Sequence, residues 1–318
     1  MRGRIFFIIA IVAFVAVVPL VYYLLFERGL SVTETPPLPD ASVDAGEEPP
    51  PLPMALSITD LDGQVDHSRE GREWKPAEIG MVLEPKDRIR TSDDAHAVLA
   101  KPGMFTVDLD SGSNFEVKEL EKNVSKFMLE KGMISADVVD NPNRIFEVEA
   151  AESVARTTGA NFKMTVNKKG LVALGTIKGR VNVEAEGKVI QVDGGFMTKV
   201  VKGKKPQDPI KIPSALLLKV RWPKSRALSR RKIVVSGKTK PGARVKIDGK
   251  VIPVGNRGRF RRVVALKEGT NKLKVESYDV GGNTITKESP KLFVDTRPDG
   301  FNIQTSPDMW EKKKKKKQ

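Results

Sequence analysis

Phe105-Thr106-Val107-Asp108-Leu109 sets an apolar side chain at every second position and a polar one between. A repeat of two is the mark of a β-strand with one face buried, because successive side chains leave a strand on opposite sides. Phe146-Glu147-Val148-Glu149-Ala150 and Arg180-Val181-Asn182-Val183-Glu184 show the same alternation. Turn residues break the region from Ile58 to Val201 at short intervals. They are Lys101-Pro102-Gly103, Ser111-Gly112-Ser113, Lys131-Gly132, Lys168-Lys169-Gly170, Glu186-Gly187-Lys188 and Asp193-Gly194-Gly195. No long stretch of helical period intervenes, so residues 58–201 predict an all-β domain.

A second run of strands lies between Ile233 and Val294. Ile233-Val234-Val235-Ser236-Gly237 and Ala243-Arg244-Val245-Lys246-Ile247 lead to Asp248-Gly249, a hairpin turn that needs positive φ. Gly258-Arg259-Phe260, Leu266 to Val275 and Asp279-Val280-Gly281-Gly282-Asn283 continue it. The chain thus divides into an anchor at 1–28, a Pro-rich acidic linker at 29–57, and the first β domain at 58–201. A basic linker at 202–222, a second β domain at 223–296 and a Lys-rich, disordered tail at 297–318 follow.

The 22 residues from Ile5 to Phe26 carry no charge. At about 1.5 Å per residue a helix of that length spans a hydrocarbon core of about 30 Å. Arg2 and Arg4 precede it, whereas Gly29–Ser57 holds five acids, seven prolines and no base. The positive-inside rule puts the bulk of the chain outside the cytoplasm. The run is longer than a signal peptide's apolar region and ends in Tyr22-Tyr23-Leu24-Leu25-Phe26, so an uncleaved anchor is expected over a cleaved signal.

Charge is divided unevenly. Residues 58–198 hold 19 Lys/Arg against 24 Asp/Glu, a net of −5, whereas residues 199–318 hold 33 against 10, a net of +23. The chain has no cysteine and only two histidines, His67 and His96, which argues against a disulfide framework, a thiolate nucleophile and a zinc site. Both histidines are expected at the surface, and the acids Asp108 and Asp110 on a solvated strand face. Trp74, a large ring between Glu73 and Lys75, is expected in the core. No Gly-x-Ser-x-Gly elbow and no phosphate-binding loop is present, so neither an enzyme nor a cofactor is expected.

The order of pieces in the first domain resembles the FecR-type domain of bacterial envelope proteins. The matching residues are Gly63-Gln64-Val65, Trp74, Gly80, Asp87-Arg88-Ile89-Arg90-Thr91 and Ala95-His96-Ala97-Val98-Leu99. Leu129-Glu130-Lys131-Gly132, Phe146-Glu147-Val148, Thr158 to Met164 and Ile177 to Val183 complete them. Gly159-Ala160-Asn161-Phe162 departs from the family's more frequent Gly-Thr-x-Phe. The second domain resembles bacterial Ig-like modules of the glucodextranase-B type. It carries the P-G-A-x-V strand at Pro241–Val245, G-x-F at Gly258–Phe260, L-x-E-G-x-N at Leu266–Asn271 and D-x-x-G-N at Asp279–Asn283. That resemblance implies a two-sheet sandwich acting as a spacer or binding surface.

These readings predict a single-pass protein of a bacterial inner membrane, all-β beyond its anchor, with its bulk in the periplasm. The main expectation is a non-enzymatic binding or scaffolding role. The basic residues Arg257, Arg259, Arg261 and Arg262, with Arg230, Arg231 and Lys232, are the candidate site for a polyanion. If the strand at Gly258-Arg259-Phe260 alternates, Arg259 and Arg261 share a face with Arg257, opposite Phe260. Outside the cytoplasm the partners would be an anionic cell-wall polymer or lipopolysaccharide, with nucleic acid disfavoured, and a protein partner also fits. The alternative is the FecR family's implied role, signalling to a sigma factor. The four residues Met1–Arg4 ahead of the apolar run are too few to hold one, so a partner protein would have to supply that contact.

Overall fold

The computed structural model describes residues 55–297. The expected anchor, Pro-rich linker and lysine tail lie outside the described residues. Among the described residues no helix is long and apolar enough to cross a membrane.

Fifteen strands build the first module: β1 Ser57–Asp62, β2 Val65–Ser68, β3 Lys75–Pro76, β4 Arg88–Thr91, β5 His96–Lys101, β6 Phe105–Leu109, β7 Asn114–Leu120, β8 Val124–Val138, β9 Ile145–Ala150, β10 Ser153–Thr157, β11 Ala160–Val166, β12 Val172–Ala185, β13 Lys188–Asp193, β14 Phe196–Val200 and β15 Ile210–Lys211. Ten follow: β16 Leu218–Arg221, β17 Ala227–Leu228, β18 Lys232–Thr239, β19 Arg244–Ile247, β20 Lys250–Ile252, β21 Arg259–Ala265, β22 Gly269–Asn271, β23 Lys274–Tyr278, β24 Thr284–Glu288 and β25 Leu292–Val294. The all-β architecture follows the period-two pattern, and Phe105, Val107 and Leu109 are buried as the opening stretch requires.

Two long strands turn the fifteen into two layers. The first half of β8 pairs with β7 and, in parallel, with β9, whereas its second half pairs with β6 and β11. β12 likewise lies beside β11 and β14 up to Gly179, then beside β10 and β13. The change of layer falls at glycines. Gly132 has φ +109, and a Cβ there would come within 2.4 Å of Ser113 Cα; Gly179 has φ +80, with Gly159 O at 2.5 Å. Lys131-Gly132 is therefore a bend within one strand, where the sequence reads a turn between two. The layers close on a core in which Phe105, Phe127 and Phe146 meet one another, Phe115 stacks on Phe127 and Phe162 meets Phe146, with ring centroids 5.0–6.1 Å apart.

The second module is sandwich-like. The sheets β16-β18-β21, β17-β25-β22 and β20-β19-β23-β24 enclose a separate core that includes Val235, Val245, Phe260, Val275 and Leu292. Asp248-Gly249 forms its expected two-residue turn, with φ +47 and +82 and Ile247 paired to Lys250. Within the stretch read as a basic linker, Ile210–Lys211 pairs with β14 and Leu218–Arg221 with β18.

Two side chains depart from expectation. Trp74 is only half-buried, outside the core, with the Arg90 guanidinium 4.3 Å above its ring. The ring instead lies under a cation at the surface, because β2 pairs with both β3 and β4 and brings Arg90 close to it. His67 is buried, its Nε2 3.3 Å from Asp87 Oδ2, whereas His96 is half-buried and faces Asp108 at 3.0 Å.

Candidate functional site

The seven basic residues of the sequence reading do not form one cluster. In β21 the alternation holds: Phe260 is buried, and Arg259 and Arg261 point outward together. Arg257 lies in the turn before the strand, where Gly258 N–H donates to Gly255 O. Arg262, on the face opposite Arg261, lines a cleft with Asp93 and Val254. Arg230 and Lys232 join Arg259 and Arg261 around a concavity of about 1070 Å³, but Arg231 turns away to Glu268, 3.0 Å from its Nε. The sequence reading missed Lys219, Arg221 and Lys238, which line the same concavity. Register supplies them, since β16 and β21 flank β18 and put Lys219 and Arg259 on either side of Lys238.

A second concavity, of about 910 Å³, lies in the first module beside the point where β12 changes layer. The end of β8, the start of β9 and the Thr157–Asn161 corner line it. Val139 and Ile145 stand on its rim, 54% and 44% exposed, among Asp137, Asp140, Arg156 and Arg180. Apolar rim groups among mixed charges make a surface suited to a protein segment.

A third site joins the modules. Asp110, in the turn after β6, accepts from Arg244 Nη1 at 2.9 Å, Lys246 Nζ at 3.1 Å and the Tyr278 hydroxyl at 2.5 Å. Burial alone would raise the Asp110 carboxyl, but the Arg244 charge, the Tyr278 hydrogen bond and Lys246 outweigh it and hold its pKa below the ordinary carboxylate value. Tyr278 is pushed well above its ordinary value, chiefly by burial. Around this centre Val251 N–H donates to Asp93 O at 2.7 Å, Thr165 Oγ1 to Gly242 O at 3.1 Å, and Asn167 Nδ2 to Asn256 Oδ1 at 2.9 Å. Ala173, Met197 and Val280 form a small apolar cluster between the modules. Asp110 is thus an anchor, not the solvated strand-face acid expected.

Comparison with known proteins finds a family similarity within the first module. The model of the FecR protein family matches residues 87–182, from just before β4 to three residues short of the end of β12. Among solved structures, two of a candidate anti-sigma factor from Parabacteroides distasonis are similar, at 18% and 17% identity. Each match covers 39% of this chain and 58% of that one, with a TM-score of 0.35. A polysaccharide lyase is 12% identical over 77% of this chain and 40% of its own, with a TM-score of 0.19. Scores of that size fall short of a shared overall fold, and this chain spans little more than half the length of the first two. Among curated proteins none matches. Residues 87–182, within the first module, are thus similar to the FecR protein family.

Proposed function

We propose that this chain is a FecR-type signalling component of a bacterial envelope, which acts through a protein partner and reaches a sigma factor by way of it. The FecR match carries this reading, and it favours signalling over the scaffolding role first expected. The matched residues include β8, most of β12 and most of the lining of the concavity beside Val139 and Ile145. That concavity is the proposed partner surface. Ile5–Phe26 would be the single-pass anchor that holds the β modules in the periplasm.

The test is site-specific photocrosslinking of the full chain in its native envelope. A photoreactive residue at Val139 or Ile145 is expected to capture one protein that in turn binds a sigma factor. The same probe at Val263, exposed on the second module, should not capture it. Deleting the gene should change transcription from that sigma factor's promoters. No capture at either position together with unchanged transcription would overturn the proposal.

A further inference from the structure

The outward face of β16-β18-β21 gathers bases on adjacent strands with no acid among them. Several bases exposed on strands elsewhere sit against acids: Arg90 on Asp66 at 2.8 Å, Arg156 on Glu147 and Glu184 at 2.5 and 2.6 Å, Lys274 on Glu276 at 3.3 Å. On this face the register lines up Lys219, Lys238 and Arg259 directly across three strands, and the next outward rung sets Arg221 and Arg261 on either side of Ser236. Strands lie about 4.8 Å apart, so three like charges fall within roughly 10 Å of one another. Among the described residues none of these five bases is in an ion pair, and no acid lines the concavity they form. Like charges directly opposite one another weaken a sheet. A surface built for solubility intersperses the signs.

We infer that this face is a binding site for an anionic polysaccharide, with rows of bases for its carboxylates or other acidic groups and Trp222 for a sugar ring. The half-buried Trp222 and its neighbour Pro223 form the apolar edge of the concavity and leave part of an indole beside the cations. An aromatic face beside charge suits a ring that carries acids. A single-stranded nucleic acid stacks successive bases on several aromatic rings. Here Trp222 is the one ring at the surface, because Phe260 is buried. A concave floor is likewise the wrong shape for a flat bilayer. This inference is independent of the FecR reading, since it concerns the other module.

The full chain in detergent is titrated with a polyuronate, uncharged dextran, inorganic polyphosphate, single-stranded DNA and phosphatidylglycerol vesicles. Polyuronate is expected to bind, weakening as salt rises, and dextran not to bind. The triple variant Lys238→Gln, Arg259→Gln, Arg261→Gln should lose at least about tenfold in polyuronate affinity and show a flatter salt dependence. It should also keep or raise its thermal midpoint, because it removes repulsion. The pair Arg257→Gln, Arg262→Gln, off the face, should lose less than about twofold. Trp222→Leu, which keeps an apolar contact with the core, should weaken polyuronate severalfold and leave polyphosphate unchanged. Equal losses in the triple and the control pair would overturn the site. Tighter binding of DNA or vesicles than of polyuronate, or equal loss of polyuronate and polyphosphate in Trp222→Leu, would overturn the ligand class.

Discussion

Asp110 shows what a side chain's neighbours in sequence conceal. In Asp108-Leu109-Asp110 both acids fall on the same strand face, and the period-two rule treats them alike. Asp108 meets His96 at a partly exposed site, as that rule allows. Asp110 instead takes three donors from a module whose residues lie more than 130 positions further on. No local pattern encodes such a contact. The one signal available was the uneven charge, a net of −5 before residue 199 and +23 after it. Replacing Asp110 by Asn leaves Arg244 nearly buried without its counter-charge. That should cost about 3 kcal/mol in urea unfolding, the low end for a broken buried pair because the Asp110 side chain is 21% exposed. Since the carboxyl is held below its free value of about 3.9, its contribution is complete above that pH and is lost as pH falls through the lowered value. The stability difference between the wild type and Asp110→Asn should therefore shrink below about pH 4. A constant difference down to pH 2 would show that the charge is not what matters.

At the scale of elements the strands were legible and the sheet assignment was not. Alternation marks a buried face without saying which partner strand covers it, and a long strand can pair with one set of neighbours along its first half and another along its second. Gly132 and Gly179 make that change possible in β8 and β12, and both read locally like turn glycines. Gly132→Ala combines roughly 1–2 kcal/mol of left-handed backbone strain with about 1–3 kcal/mol from forcing a methyl into Ser113. Gly187 also has positive φ, +68, but nothing lies within 4 Å of a Cβ there. Gly187→Ala should show the backbone part alone, about 1–2 kcal/mol. Equal losses in chemical denaturation would mean that Gly132 is an ordinary turn glycine and that the layers do not depend on the bend. The short turns were easier to read, because Asp248-Gly249 declares its geometry in two residues, whereas a layer change is a property of strands far apart.

For the molecule as a whole, two periodic regions joined by a basic stretch suggested two independent cores, and the cores are indeed distinct. What the sequence did not disclose is their docking. The Asp110 anchor, the backbone hydrogen bond from Val251 to Asp93, the Asn167–Asn256 contact and the Ala173–Met197–Val280 cluster all cross between them. The close fit is visible at glycines: a Cβ on Gly175 would come within 2.5 Å of Val280 O, and one on Gly242 within 2.7 Å of Ala173 Cβ. Contacts this intimate couple the two stabilities, because unfolding one module strips buried partners from the other. Tryptophan provides the test, since Trp74 reports on the first module and Trp222 on the second. In chains keeping one of these rings, with Trp310 and the other replaced by Phe, both probes should give the same urea midpoint. Adding Asp110→Asn and Asn167→Ala should pull the two midpoints apart, because these changes remove docking contacts and leave each core intact. Midpoints already separate without those substitutions would show two modules that touch without coupling. A change in the second module would then have no route through this interface to the first.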